Sequence, residues 1–322
     1  MFDCKIVVTG GSGFIGTNLI DKLILEGFEI INLDINKPLK KEMLNCWRNV
    51  DINDFDKFKE IVDQFCPNYI VHLAARTDLE GKILDDYKTN ILGVENLMKI
   101  AKELPSLKKL IITSSMLVCS GGYYPKNQFD YKPSTIYGES KVLTEKIVWS
   151  NKLLCDWAIV RPTSIWGPWF SIPYKNFFDM IISKKYYHVG NRGCTKTYGY
   201  VGNSVYQIIR ILFSDTLDEI NKVYYLGDNP ATNIEEWGNE IATELGHKIA
   251  RMPYPLIKGA AFFGDFLKFF GFNFPMNSFR LHNMTTDNIV DLDKTYVFAQ
   301  VLPYSRKEGV KETLKWIEKN KV

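Results

Sequence analysis

Several features are missing from this 322-residue sequence, and each absence removes a class of function. Its 40 basic and 37 acidic residues are interspersed, with no dense Lys/Arg run of the kind that tracks a phosphate backbone, which argues against nucleic acid as a partner. There are only four histidines, and the six cysteines (Cys4, Cys46, Cys66, Cys119, Cys155, Cys194) form no C-x-x-C pair and no cluster with them. That argues against zinc and thioredoxin chemistry, and no metal site is expected. The start, Met1-Phe2-Asp3-Cys4-Lys5, runs straight into an apolar strand without a basic n-region or cleavage site, so no signal peptide is expected and the thiols should be reduced, in the cytoplasm. One stretch, Leu256 to Phe274, is rich in phenylalanine, but Lys258, Asp265 and Lys268 interrupt it and Gly264 and Gly271 break it. A spanning helix needs about 20 consecutive mostly apolar residues, so no membrane span is expected and the stretch reads as a core-facing helix, an interfacial surface being the alternative.

What is present is a chain long enough to bury a full core, with 46% apolar and 24% charged residues, and no repeat period or low-complexity tract. Short β-branched runs alternate with helical-period segments, the pattern of βα units feeding a parallel sheet. Strands are read at Lys5 to Thr9, Glu29 to Asp34, Tyr69 to Leu73, Lys109 to Ser114 and Trp157 to Val160. Helices fall near Phe14 to Leu25, Asp54 to Gln64, Tyr87 to Leu104 and Tyr137 to Lys152, with Asn53 or Asp54 as the cap of the second. After Arg161-Pro162 regularity falls, aromatics crowd in and Pro162, Pro168 and Pro173 punctuate the chain. The expected fold is therefore α/β: a doubly wound parallel sheet of Rossmann type over residues 1–165 and a smaller mixed α/β domain over 166–322, with some segments of the latter returning to the first. In that second part a strand is read at Val223 to Leu226 and helices near Ser204 to Leu212, Ile234 to Leu245 and Val310 to Lys319.

The turn Thr9-Gly10-Gly11-Ser12-Gly13-Phe14-Ile15-Gly16 satisfies G-x-G-x-x-G and directly follows the apolar strand Ile6-Val7-Val8. Such a turn lets backbone N–H groups and a helix dipole face a pyrophosphate. Asp34, at the end of the next strand and 18 residues after Gly16, is placed to accept from adenosine ribose hydroxyls and to repel a 2′-phosphate, which favours NAD, with NADP left open by Lys37. Tyr137 and Lys141, four residues apart, share a helix face; a cation there is expected to stabilise phenolate and lower the tyrosine pKa. Ser114 and Ser115 follow the strand Leu110-Ile111-Ile112-Thr113, at the edge where α/β proteins bind ligands.

With these residues in this order, the chain resembles the extended short-chain dehydrogenase/reductase superfamily, in its sugar-nucleotide epimerase/dehydratase branch. The likeness extends to Asp51-Ile52 at the adenine edge, His72-Leu73-Ala74-Ala75, Asn90-x-x-Gly93, Ser114-Ser115-Met116-Leu117-Val118, Arg161-Pro162-Thr163-Ser164-Ile165-Trp166-Gly167-Pro168 and Tyr198-Gly199-Tyr200-Val201-Gly202-Asn203. The resemblance implies catalytic Ser115, Tyr137 and Lys141, and a cofactor held by Gly10, Gly13, Phe14, Ile15, Gly16, Asp34, Asp51, Ile52, Leu73, Ala74, Ala75, Asn90, Tyr137, Lys141 and Pro162. Ser115 and Ser164 would meet the substrate, and Asn176, Arg192, Lys196 and Arg280 are candidates for its diphosphate. A homodimer, through the helices around Tyr87 to Leu104 and Tyr137 to Lys152, is also implied.

Departures from the branch narrow the reaction. Met116 and Leu117 stand where 4,6-dehydratases carry Asp and Glu, and Met116 and Trp169 stand where the 3,5-epimerase-reductases carry Cys and His. What remains is oxidoreduction at one carbinol, C4 of a nucleoside-diphosphate sugar, by a 4-epimerase or a 4-ketoreductase, the former slightly favoured by Asp34. Cys119, in place of the usual Tyr, either widens the sugar site or is a buried small residue. Hydroxysteroid dehydrogenases share the Ser/Tyr/Lys set, and a non-catalytic NAD(P)-binding protein is the further alternative.

Overall fold

Ile6, Val7 and Val8 are each fully buried, a condition that only a strand covered on both faces meets. In the computed structural model, which describes residues 4–320 except 192, 216, 218–221, 273 and 275, they form the middle of β1 (Lys5–Thr9). That strand pairs in parallel with β2 (Glu29–Asp34) on one side and β4 (Tyr69–His72) on the other; β3 (Trp47–Asn49) lies outside β2, while β5 (Lys109–Thr113) and β6 (Asp156–Pro162) continue beyond β4. Side-chain alternation then sorts the two faces. Ile6 and Val8 join a core with Leu19, Ile20 and Leu23 of α1 (Phe14–Leu25). Val7 faces the other core, with Phe58 and Val62 of α2 (Phe55–Phe65), Val94 and Leu97 of α3 (Lys88–Lys102), and Val148 of α4 (Ile136–Ser150). Asp54 caps α2, its carboxylate accepting from Lys57 N.

Past β6 the chain runs through β7 (Ser164–Trp166), α5 (Tyr174–Ile182), β8 (His188–Val189), β9 (Thr195–Lys196) and β10 (Tyr198–Tyr200). It returns to the large sheet by α6 (Val201–Leu212) and β11 (Val223–Leu226), which pairs with β6. The last part holds β12 (Thr232–Asn233), α7 (Ile234–Glu244), β13 (Arg251–Met252), α8 (Tyr254–Phe269), α9 (Ser278–Thr285), α10 (Asp293–Tyr296) and α11 (Arg306–Lys319). The parallel sheet has the order β11-β6-β5-β4-β1-β2-β3, so the winding reverses between β1 and β4, the Rossmann arrangement expected. β7 pairs with β10, β9 with β12 and β8 with β13. The crowded aromatics after Arg161 pack together: Trp166 lies 5.0 Å from Trp237 and 5.8 Å from Phe178, ring centre to ring centre, in a cluster continuous with the α1 and α6 face.

Two departures from the sequence reading concern helix starts. α6 begins three residues earlier than expected, because Asn203 is a tie rather than a loop residue: its amide donates to Asp228 at 3.0 Å and to the Tyr304 carbonyl at 2.9 Å. α11 begins at Arg306, where Ser305 and Glu308 form a reciprocal capping box. A third departure is a correction. The phenylalanine-rich stretch does form a helix, α8, but it does not face the core with its aromatics: Ile257 and Ala261 are buried, whereas Phe262 is 76% and Phe266 54% exposed. No helix among the described residues is long and apolar enough to cross a membrane.

Candidate active site

A cleft of about 580 Å³ opens at the carboxyl edge of the parallel sheet, beside the β1/β4 reversal, where open α/β sheets bind ligands. Its floor is the glycine turn. Gly10 has φ +70°, and a Cβ there would fall 2.5 Å from the Ala74 amide nitrogen, so the turn and the end of β4 meet without room for a side chain. A Cβ on Gly16 would lie 2.4 Å from the Gly10 carbonyl oxygen, whereas one on Gly13 meets only that oxygen, at 3.3 Å. Gly13 is also the N-cap of α1, and no side chain caps that helix end. The first-turn amides of α1 are thus presented to the cleft, a cradle that fits an anionic diphosphate.

Asp34 closes one end of the cleft. Its two carboxylate oxygens accept from Ser12 N at 3.0 Å and Asn36 N at 2.8 Å, which fixes the carboxylate against the glycine turn. Ser12 donates onward to the Asn36 carbonyl, and this second tie through a turn residue is absent from the sequence reading. Asp51, Ile52, Leu73, Ala74, Ala75 and Pro162 all line the cleft, as do Phe14 and Ile15. Asn90 does not. It is buried beneath the wall, accepting from Arg76 N at 2.8 Å and donating to the Arg76 carbonyl and the Ser140 hydroxyl at 3.0 Å, so it positions the Arg76 loop against α4. Gly93, one turn on, leaves the space taken by Ile52.

At the opposite end β5 and α4 converge. Thr135 caps α4, its hydroxyl accepting from Gly138 N at 3.0 Å, and a Cβ on Gly138 would strike the Leu117 carbonyl. The one-turn helix Met116–Val118, capped by Ser115, therefore sits on the first turn of α4. This contact sets the Ser115 hydroxyl, which accepts from Leu117 N at 3.1 Å, beside the Tyr137 phenol. One turn along, Lys141 Nζ donates to the Thr113 carbonyl at 2.9 Å and lies 6.0 Å from the Tyr137 ring centre. Two hydroxyls of the same wall, Thr113 Oγ1 and Ser114 Oγ, are buried and have no hydrogen-bond partner. Such groups in a native wall are normally satisfied, and here they suit a polar ligand.

Burial dominates the electrostatics. It pushes the Tyr137 phenol up to about 12, with the Ser115 hydrogen bond opposing the rise and Tyr174 and Tyr87 adding to it. This runs against the expectation of a lowered phenol: desolvation is the largest influence on Tyr137. Lys141 is itself lowered to about 8 by burial, against the attraction of Glu145. His72, hydrogen-bonded to Thr9 Oγ1 at 2.8 Å, is driven down to about 3 by burial and then by Lys141, so it is neutral at physiological pH.

The residues expected around the substrate divide. Ser164 accepts from the Tyr174 hydroxyl at 3.0 Å, and it is Tyr174, missed from sequence, that lines the cleft. Asn176 and Arg280 are exposed on α5 and α9, and Lys196 donates to the Asn283 carbonyl; none of the three lines the cleft. Arg192 lies outside the described residues. The cation that does line the cleft besides Lys141 is Arg76, bonded to Asp78 at 2.8 Å; it sits in a loop with no local pattern to flag it. Met116 and Leu117 place no carboxylate beside Ser115. Trp169 packs on Trp316 at 5.6 Å and does not line the cleft. Cys119 is buried with Val118 and Val142, also outside the lining, which selects the small-core-residue reading.

The fold and this cleft define a dinucleotide-binding Rossmann protein with a serine, a tyrosine and a lysine converging at one end of the ligand space. The chain belongs to the NAD dependent epimerase/dehydratase family, whose model matches residues 6–210, and is thus one of a family of NAD-dependent enzymes. It is 28% identical, over 97% of its length and 95% of the relative's, to N-acetyl-alpha-D-glucosaminyl-diphospho-ditrans,octacis-undecaprenol 4-epimerase of Escherichia coli O157:H7. It is 25% identical, over 76% of its length and 71% of the relative's, to a 3-beta-hydroxysteroid dehydrogenase of Mycolicibacterium neoaurum. The solved structure of UDP-glucose 4-epimerase of Thermotoga maritima, with UDP-glucose, superposes with a TM-score of 0.73 over 98% of this chain and 99% of that one, at 22% identity. At that identity the likeness is one of fold.

Proposed function

We propose that the chain is a 4-epimerase acting on a sugar joined to its carrier through a diphosphate. The observation that carries this is the convergence of Ser115, Tyr137 and Lys141 at a wall where Met116 and Leu117 offer no carboxylate to expel water. Bound NAD would supply a hydride acceptor at the sugar C4 and return the hydride. The glycine turn and the open N-terminus of α1 would hold its pyrophosphate, and Asp34 its adenosine ribose. Lys141, anchored on Thr113, would donate to the nicotinamide ribose. Tyr137 takes the proton of the C4 hydroxyl in the oxidative half and gives it back in the reductive half, while Ser115 donates to the same sugar oxygen. The oxidative half calls on the phenolate, which the Lys141 ammonium one turn away would favour; the proton it takes leaves the phenol in the form that then protonates the carbonyl in the reductive half.

In the E. coli relative's name the diphosphate carrier is a polyprenol, and in the T. maritima structure the ligand is UDP-glucose. Arg76, at the cleft, suits a diphosphate on either carrier. Purified protein should be incubated with UDP-, GDP-, CDP- and dTDP-sugars and with a polyprenyl-diphospho-sugar, with product and absorbance at the NADH band followed together. The proposal expects a C4-inverted sugar without net change in cofactor. Stoichiometric NADH oxidation on a 4-keto sugar would replace it with the ketoreductase, and turnover of a 3β-hydroxysteroid alone would move the chain to the dehydrogenase class.

A further inference from the structure

Eight of the chain's 20 phenylalanines lie between positions 262 and 279. Helix α8 has two apolar faces. At 3.6 residues per turn, Ile257, Ala261 and Gly264 share one of them, and Leu256, Phe262, Phe263, Phe266 and Phe270 lie on the other. The first face is seated on the protein: Ile257 and Ala261 are buried with Leu281 of α9, and any side chain on Gly264 would run into the Met276 carbonyl. The second face is therefore held outward. Leu256 is 62%, Phe270 58% and Phe272 65% exposed. Edge-to-face pairs, Phe266 with Phe270 at 5.0 Å and Phe263 with Phe274 at 5.7 Å, join the rings into one patch.

The charges around the patch have one prevailing sign. Residues 253–286 contain Lys258, Lys268 and Arg280 and a single carboxylate, Asp265, so this stretch holds +2 of the chain's formal +3. Asp265 is turned to the backbone, accepting from Ser278 N at 3.3 Å. A broad outward aromatic arc with exposed Lys258 at its edge, in a stretch of net positive charge, is the pattern of a helix lying in a membrane interface, and α8 is too short and too often interrupted to span one. A second copy docked about a two-fold axis would bring the same cations face to face, which disfavours self-association there. The patch is also tied to the site: after α9 the chain reaches Asn288, whose side chain accepts from Gly122 at 3.3 Å, in the loop that follows the Ser115 turn.

We propose that the outer face of α8, with the turn to Phe274, docks on the interface of an anionic phospholipid bilayer. The phenyl rings enter at the acyl boundary, and Lys258, which lies next to Phe262 around the helix, faces the headgroups, with exposed Lys268 at the helix end adding to the positive charge. This goes beyond the C4 chemistry and does not depend on it.

Flotation of the full chain with vesicles tests it. Wild type should float with phosphatidylglycerol/phosphatidylethanolamine vesicles, at least about tenfold more than with phosphatidylcholine alone or in high salt. Phe262→Ser/Phe266→Ser/Phe270→Ser and Lys258→Glu/Lys268→Glu should each lose about tenfold in flotation while keeping the wild-type circular dichroism and melting curve, because the altered residues are exposed. Wild type left at the bottom of the gradient overturns the proposal, as does either variant floating like wild type. So does light scattering that shows a dimer split by the phenylalanine variant, which would assign the face to a second copy.

Discussion

Lys141 Nζ donates to the carbonyl of Thr113 at 2.9 Å, tying the middle of α4 to the last residue of β5. The bond fixes the phenol one turn earlier as well, since Tyr137 stands on the same face of α4.

The consequences are measurable. Tyr137→Phe should lower kcat by about 10³-fold, within the range for a lost general acid–base, with the melting temperature and substrate KM little changed. The pH profile should fall on its alkaline side near pH 8, where Lys141 loses its proton, and not near the higher value of the phenol. For stability the sign is opposite. Below about pH 8 the buried ammonium carries its full desolvation penalty, and Lys141's contribution becomes more favourable as pH rises through that value. A Lys141→Met variant should lose the alkaline limb together with most activity.

Glu145, one turn beyond Lys141, makes the second prediction. It accepts from Arg161 Nε at 2.8 Å and Nη2 at 2.7 Å, both side chains being essentially unexposed, and Tyr131 donates to the same carboxylate at 3.0 Å. The pair joins α4 to β6, and Arg161 reaches on to the Tyr225 hydroxyl on β11. Arg161→Met alone should cost about 3–5 kcal/mol in urea unfolding, because it strands a buried carboxylate, and adding Glu145→Leu should recover much of the loss. An Arg161→Met protein as stable as wild type would contradict this.

Asp34 makes the third. With both oxygens engaged by Ser12 and Asn36, its charge is fixed at the cleft, where the proposed cofactor pose would put an adenosine 2′-phosphate against it. Asp34→Ser should shift the NADPH-to-NADH affinity ratio by about tenfold or more towards NADPH, read by isothermal titration. An unchanged ratio would show that the carboxylate does not select the cofactor.

The parallel strands and glycine turn were legible because their signals are local. β-branched runs, a fixed glycine spacing and an acidic strand end all occur within about thirty residues, the length of one βαβ unit. The end of α4 was legible for the same reason. Less legible were residues whose placement depends on distant partners. Asn90 reads as a ligand contact, yet its amide is consumed by Arg76 and Ser140. Tyr174 and Arg76 reach the cleft from irregular segments with no periodicity to place them. The phenol's shift depends on how completely the wall excludes water, which spacing does not encode. α8 misled because its apolar residues encircle it, so composition could not decide which side met the protein; the small residues Ala261 and Gly264 mark the seated face.

The central claim is that oxidation and re-reduction occur at one carbon within one cleft, with Tyr137 moving the proton. The direct measurement uses a sugar diphosphate carrying deuterium at C4, on the carrier that the substrate panel identifies, with the product analysed by NMR and mass spectrometry. The account predicts that the deuterium is retained at C4 of the inverted sugar, with no net NADH formed. Loss of the label to solvent, or its appearance in accumulating NADH, would contradict it.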